Sequence, residues 1–133
     1  MNQGVNEMYT ITIISHHDIP NLLDCFDPTW CVKTIHTFPL QSEDTDCFLV
    51  DIDYCDHDGA ALIPWLKENY HKPIVIVTTR YRPKRTLELL VQGAQDYIVE
   101  PYNCEVILER ITTLINEYKK ENTSNDVFSL RLL

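Results

Sequence analysis

Phe48-Leu49-Val50-Asp51 is an unbroken apolar run that stops on a carboxylate, with Asp58-Gly59 following shortly after. A strand with no polar alternation has both faces covered, the mark of a parallel sheet between two layers of helices. Two more apolar runs stop in the same way: Ile74-Val75-Ile76-Val77 at Thr78, and Tyr97-Ile98-Val99 at Glu100-Pro101. Neighbouring parallel strands end on one edge of the sheet. In open α/β sheets the working crevice lies at that carboxyl edge. Asp51, Thr78 and Glu100 are therefore expected to meet there.

The rest of the chain supplies the alternation such a sheet requires. Tyr9 to Ile14 is rich in β-branched residues and reads as a strand, ended by Ser15-His16-His17-Asp18. Pro20 sits in the first turn of a short helix to about Phe26, which Asp27-Pro28 breaks. Trp30 to Ile35 is a second strand. Phe38 to Asp46 is polar and short, so a second helix there is shortened or missing. Past Asp51, Leu62, Trp65, Leu66 and Tyr70 share a helical face, and Pro64 limits how early that helix begins. Pro73 to Val77 is the fourth strand. Pro83 opens a helix with Leu87, Leu90, Val91 and Ala94 at helical spacing, and Gly93 lies near its end. Tyr97 to Val99 is the fifth strand. Asn103 is suited to cap a last helix, with Ile107, Ile111, Leu114 and Tyr118 on one stripe. Five strand–helix alternations with right-handed crossovers predict a flavodoxin-like, doubly wound five-stranded parallel sheet of order 2-1-3-4-5. Residues 1–120 make that domain. Residues 121–133 read as a linker and an apolar tail. Val127 to Leu133 would dock on the domain, mediate pairing or begin a further output domain.

Composition narrows the function. The net charge of -9, from 11 basic and 20 acidic side chains, argues against direct nucleic-acid contact and against anionic membranes. No apolar run is long enough to span a bilayer. Only Gly4, Gly59 and Gly93 are present and they do not cluster, so no phosphate-cradling loop and no cofactor is expected. The five cysteines are odd in number and contain no CxxC spacing. Cys25, Cys31 and Cys47 flank or join apolar runs, as free thiols do in a reducing, cytoplasmic compartment.

From Tyr9 to about Tyr118 the chain resembles the receiver domain of bacterial two-component response regulators. Three segments carry the resemblance: Phe48-Leu49-Val50-Asp51 with Asp58-Gly59; Pro73-Ile74-Val75-Ile76-Val77-Thr78-Thr79-Arg80; and Gly93-Ala94-Gln95-Asp96-Tyr97-Ile98-Val99-Glu100-Pro101-Tyr102. The resemblance implies that Asp51 is the phosphoacceptor and that Thr78 bonds the phosphoryl group. It makes Tyr97 the aromatic whose rotamer reports the state of the site, and the bond before Pro101 cis. Two parts of the family pattern are replaced. Ser15 and His16 stand where the family has an acidic pair that holds Mg²⁺. Glu100 stands where it has a lysine that pairs with the phosphoryl oxygens.

These replacements bear on the chemistry. Phosphoryl transfer depends on charge neutralisation and positioning, and Mg²⁺ prefers several oxygen ligands. Asp51 and the carbonyl of Asp53 would hold it poorly. Two like charges ~4 Å apart repel by roughly 4 kcal/mol at an effective dielectric of 20, so Glu100 opposes what a lysine would favour. The expectation is an atypical receiver, not an enzyme and independent of phosphorylation. It would regulate an attached or partner output, transcription foremost, through dimerisation or protein contacts. The region Pro83–Lys120 would pair protomers, with Lys84, Arg85, Glu88, Asp96, Glu109, Arg110 and Glu117 either forming reciprocal pairs or lying on solvated faces. A histidine kinase or an adaptor is the other expected partner. A stand-alone interaction module and a receiver still weakly phosphorylated on Asp51 are the alternatives. Asp53 and Arg80 flank the site and are expected to pair across it. His16 would either pair as a cation with Asp51 or Glu100, or join His17, Asp18, Asp51, Asp53 and Glu100 around Zn²⁺ or another transition metal, or simply lie with His17 in a solvated loop.

Overall fold

The computed structural model of the protein describes residues 8–37, 44–57 and 61–132. Its centre is a five-stranded sheet made of β1 (Thr10–Ile14), β2 (Cys31–Ile35), β3 (Cys47–Asp51), β4 (Ile74–Thr78) and β5 (Asp96–Val99). Every neighbouring pair is parallel and the order is β2-β1-β3-β4-β5, as the apolar runs predict. β3 and β4 are buried at every position. Alternate residues of these strands serve two cores. Leu49, Val75 and Val77 face one, with Leu22 and with Ile107, Ile111 and Ile115. Phe48, Val50, Ile74 and Ile76 face the other, with Leu62, Ile63, Leu66 and Leu89.

Among the described residues five helices cover the two faces: α1 (Pro20–Leu23), α2 (Ile52–His57), α3 (Leu62–Tyr70), α4 (Pro83–Gln92) and α5 (Cys104–Leu132). Proline opens α1 and α4 at the first turn, where its missing N–H costs nothing. Asn103 caps α5 by accepting the Val106 N–H at 3.2 Å. The shortened or missing helix expected before β3 falls largely on residues 38–43, and Asp58-Gly59 on residues 58–60, all outside the described residues.

Asp51 itself caps α2, and the chain turns helical directly after it. Three expectations are corrected. On α4 the buried residues are Thr86 and Leu89, while Leu87 is 61% and Val91 80% exposed, so the expected stripe is split across two faces. The backbone expected to be a linker from residue 121 continues α5 to Leu132 without a break. Finally, not all cysteines are thiols. Cys25 and Cys104, 79 residues apart, form a disulfide with a Cα separation of 4.8 Å, within the range such a bond needs. Crossover topology lays the end of α1 beside the start of α5 on one face of the sheet. Cys31, Cys47 and Cys55 remain thiols.

Candidate functional site

Register builds the site. Ile14 lies beside Val50 in the ladder, so the next residues, Ser15 and Asp51, come side by side at the carboxyl edge. Ser15 is fully buried and Asp51 is 7% exposed. The Ser15 hydroxyl donates to Asp51 Oδ2 at 2.7 Å. The other carboxylate oxygen, Oδ1, accepts the Asp53 N–H at 3.0 Å, which is the N-cap contact of α2. Both oxygens of the phosphoacceptor-position carboxylate are thus already bonded within the chain.

Thr78 ends β4 beside Val99, and its backbone carbonyl accepts the Glu100 N–H at 3.0 Å. Its hydroxyl is committed to the following turn: it donates to the Arg80 carbonyl at 2.6 Å and accepts the Arg80 N–H at 3.2 Å. The Glu100-Pro101 bond is cis, as the resemblance implies. Glu100 accepts a hydrogen bond from the Asn21 amide of α1 at 3.3 Å. Asn21, Asp24, Glu100, Pro101 and Tyr102 together line a cleft between α1 and the β5–α5 turn. Tyr102 reports how acidic this corner is. Its phenol is pushed up to about 12, first by burial and then by the charges of Glu100 and Asp51. Its hydroxyl is buried and has no hydrogen-bond partner among the described residues.

The flanking residues arrange themselves differently from the sequence expectation. Asp53 pairs with Arg82 at 3.5 Å, not with Arg80, because Arg82 lies nearer the start of α4 and Arg80 points its backbone at Thr78. His16 is exposed and stacks on Tyr54, ring centroids 4.5 Å apart. Asp18 pairs with His36 at 3.3 Å, and the same imidazole contacts the Ser15 carbonyl at 2.9 Å. Tyr97 is half-buried and stacks on Tyr81 at 5.5 Å; a hydrogen bond to Tyr97 pushes the Tyr81 phenol upward. Of the charges on Pro83–Lys120, Arg85 pairs with Glu88 at 3.3 Å and Arg110 with Asp96 at 3.7 Å, inside the chain. Sequence reasoning missed Asn21 and Tyr102. Tyr102 was discoverable, since it directly follows the cis proline.

The donor set can be tested against the Mg²⁺ that the family pattern implies. That ion wants several hard oxygen ligands. Ser15 replaces one acid and already directs its proton to Asp51; His16 replaces the other and stacks on Tyr54. Among the described residues no three His, Cys, Asp or Glu side chains converge to hold a metal ion. The residues present do not fit Mg²⁺.

The response regulator receiver domain family model matches residues 31–112. Among curated proteins, the chain is 27% identical over 117 residues to the transcriptional regulatory protein KdpE of Staphylococcus aureus, covering 87% of this chain and 51% of that protein. It is 30% identical over 86 residues to the transcriptional regulatory protein PhoP of Escherichia coli, covering 64% of this chain and 38% of that protein. The chain thus spans about half the length, or less, of these relatives. Among solved structures, the BeF3-activated DrrB receiver domain superposes with a TM-score of 0.71 at 21% identity, over 83% of this chain and 99% of that one. A CheY-like receiver domain protein from Methanospirillum hungatei gives 0.69 at 24% identity, over 86% and 99%. The sheet order, the three strand-end motifs and the family match agree: the chain belongs to the response regulator receiver domains, the signalling modules of two-component systems.

Proposed function

We propose that this receiver signals without phosphorylation. The observation that carries the reading is the buried 2.7 Å hydrogen bond from Ser15 to Asp51. With the α2 cap on the other oxygen, it holds the carboxylate in the bonded state that a metal and a phosphoryl donor would have to displace. Glu100 adds a repulsive charge where a lysine would attract, and Thr78 keeps its hydroxyl in its own turn. Incubation with acetyl phosphate and Mg²⁺ followed by intact-mass measurement tests this. We expect the mass to stay unchanged. A substantial gain of one phosphoryl group that vanishes in Asp51→Ala refutes the reading.

The output then comes from the surface, in the cytoplasm, through a second copy of the chain, a histidine kinase or an adaptor, and ends in transcription through an attached domain. Pairing through Pro83–Lys120 is supported by Leu87 and Val91, which α4 presents to solvent, and by Val106 of α5, 42% exposed. Association would remove this apolar area from water, which favours pairing. Sedimentation of the wild-type chain and of Leu87→Asp with Val91→Asp tests the idea: a dimer in the first and a monomer in the second is the expected pair. A monomeric wild type at 100 µM, on the order of weak-interface concentrations, removes it.

A further inference from the structure

Beyond the phosphorylation-independent reading, and without resting on it, we propose that Cys25 and Cys104 are a reversible thiol–disulfide site that exchanges with low-molecular-weight disulfides. Oxidation at this site fastens α1 to the base of α5 beside Glu100. The bond joins Cys25, two residues past the end of α1, to the first residue of α5. Nearby, the Asn21 amide of α1 also donates to Glu100, in the turn that leads into α5, at 3.3 Å. The two sulfurs differ in environment. Cys25 is 5% exposed and packs in the core under α1. Cys104 is only partly buried and occupies the capped amino terminus of a 29-residue helix. A helix amino terminus favours thiolate over thiol and so raises reactivity. The Asn21 carbonyl lies 3.6 Å from Cys25 Sγ, within reach of the thiol proton that opening the bond would create. Of the remaining thiols, Cys47 and Cys55 are buried and compete poorly, and burial foremost pushes the Cys47 thiol up, whereas Cys31 is exposed and has to be removed in the test.

The step runs as thiol–disulfide exchange. The Cys104 thiolate attacks one sulfur of the external disulfide, whose S–S bond breaks and releases one thiol. Cys25 sulfur then attacks Cys104 Sγ in the mixed disulfide and expels the second. The two cysteines lose two electrons and two protons, which leave on the two released thiols. Reduction by excess thiol runs the same path backwards.

Glutathione disulfide is the probe. The reduced 133-residue chain carrying Cys31→Ser is oxidised and quenched with N-ethylmaleimide over time, and the products are mapped by peptide mass. The expected result is a transient glutathione adduct on Cys104, then a Cys25–Cys104 cross-link with the loss of two hydrogens. Cys25→Ser keeps the adduct on Cys104; Cys104→Ser acquires one on Cys25 at least tenfold more slowly. Hydrogen exchange across residues 20–26 and 100–105 becomes several-fold faster on reduction, while β3 and β4 are unchanged. If a substituted chain fails to fold, the time course in the chain with both cysteines decides alone. Adducts that accumulate first on Cys25, both thiols still alkylated after oxidation, or exchange at residues 100–105 insensitive to reduction overturn the proposal.

Discussion

Replacing Ser15 by alanine removes one hydroxyl and nothing else, and the structure sets what that costs. The bond it makes to Asp51 is 2.7 Å long, between a fully buried donor and a carboxylate that is 7% exposed. A hydrogen bond to a charged, desolvated acceptor contributes roughly 1.5–3 kcal/mol, because its loss leaves the charge short of a partner away from water. For a domain of 133 residues the entropy of unfolding near the midpoint is on the order of 280 cal/mol/K, so each kcal/mol moves Tm by about 3–4 °C. Ser15→Ala should therefore lower Tm by about 5–10 °C. Urea unfolding followed by fluorescence of Trp30 and Trp65, at fixed disulfide state, gives the same quantity as a free energy. The partner is identified by a double-mutant cycle. In an Asp51→Ala background the Ser15 substitution should cost only what its second, longer bond, accepted from the His17 N–H at 3.3 Å, contributes, leaving a coupling energy of about 1.5–3 kcal/mol. A loss below about 0.5 kcal/mol, or a coupling energy near zero, would show that the carboxylate is balanced elsewhere and that Ser15 does not hold it.

Other outcomes follow from the same geometry. Tyr102 has a folded-state value raised to about 12, above the ordinary tyrosine value of 10.0, so it stays neutral while the unfolded chain ionises. Its contribution is intact below pH 10 and is lost as pH rises towards 12; absorbance titration at 295 nm should show a late phenol, beside the raised Tyr81, that Tyr102→Phe removes, and an unchanged titration curve would contradict the acidic corner. Reducing the Cys25–Cys104 bond, which closes a loop of 79 residues' separation, should cost about 4.5 kcal/mol by chain entropy; a urea-unfolding difference under 1 kcal/mol between the oxidised and reduced chains would count against it. Asn103→Ala removes the cap of α5 and should cost about 1 kcal/mol, measured by urea unfolding; Asn103→Gly should cost only a few tenths, and equal losses would mean the side chain is not the cap.

How far the sequence was legible follows from which signals are local. The strands were, because runs such as Ile74 to Val77 are buried on both faces and carry no polar interruption. The meeting of Ser15, Asp51, Thr78 and Glu100 was, because parallel register forces strand ends together. α2 was not, since Asp51 had been assigned a chemical role and its capping role was overlooked. The face of α4 was misread because Thr86, a small polar residue, takes a buried place that Leu87 and Val91 suit better by hydropathy. Arg82 rather than Arg80 reaches Asp53 because the turn after Thr78 draws the Arg80 backbone inward. The disulfide had no local signal at all. It depends on a crossover that brings two helix ends together from opposite ends of the chain.

The unbroken run of α5 to Leu132 has a mechanical consequence. At 1.5 Å per residue its 29 residues extend about 43 Å, well beyond the width of the sheet it packs on. Its base is pinned at Cys104, one turn of chain from Glu100 and Pro101. A tilt of about 5° at that pivot sweeps the far end through about 4 Å, the scale of one residue along an extended chain. α5 is in this sense a lever, and its fulcrum lies at the acidic corner of the site.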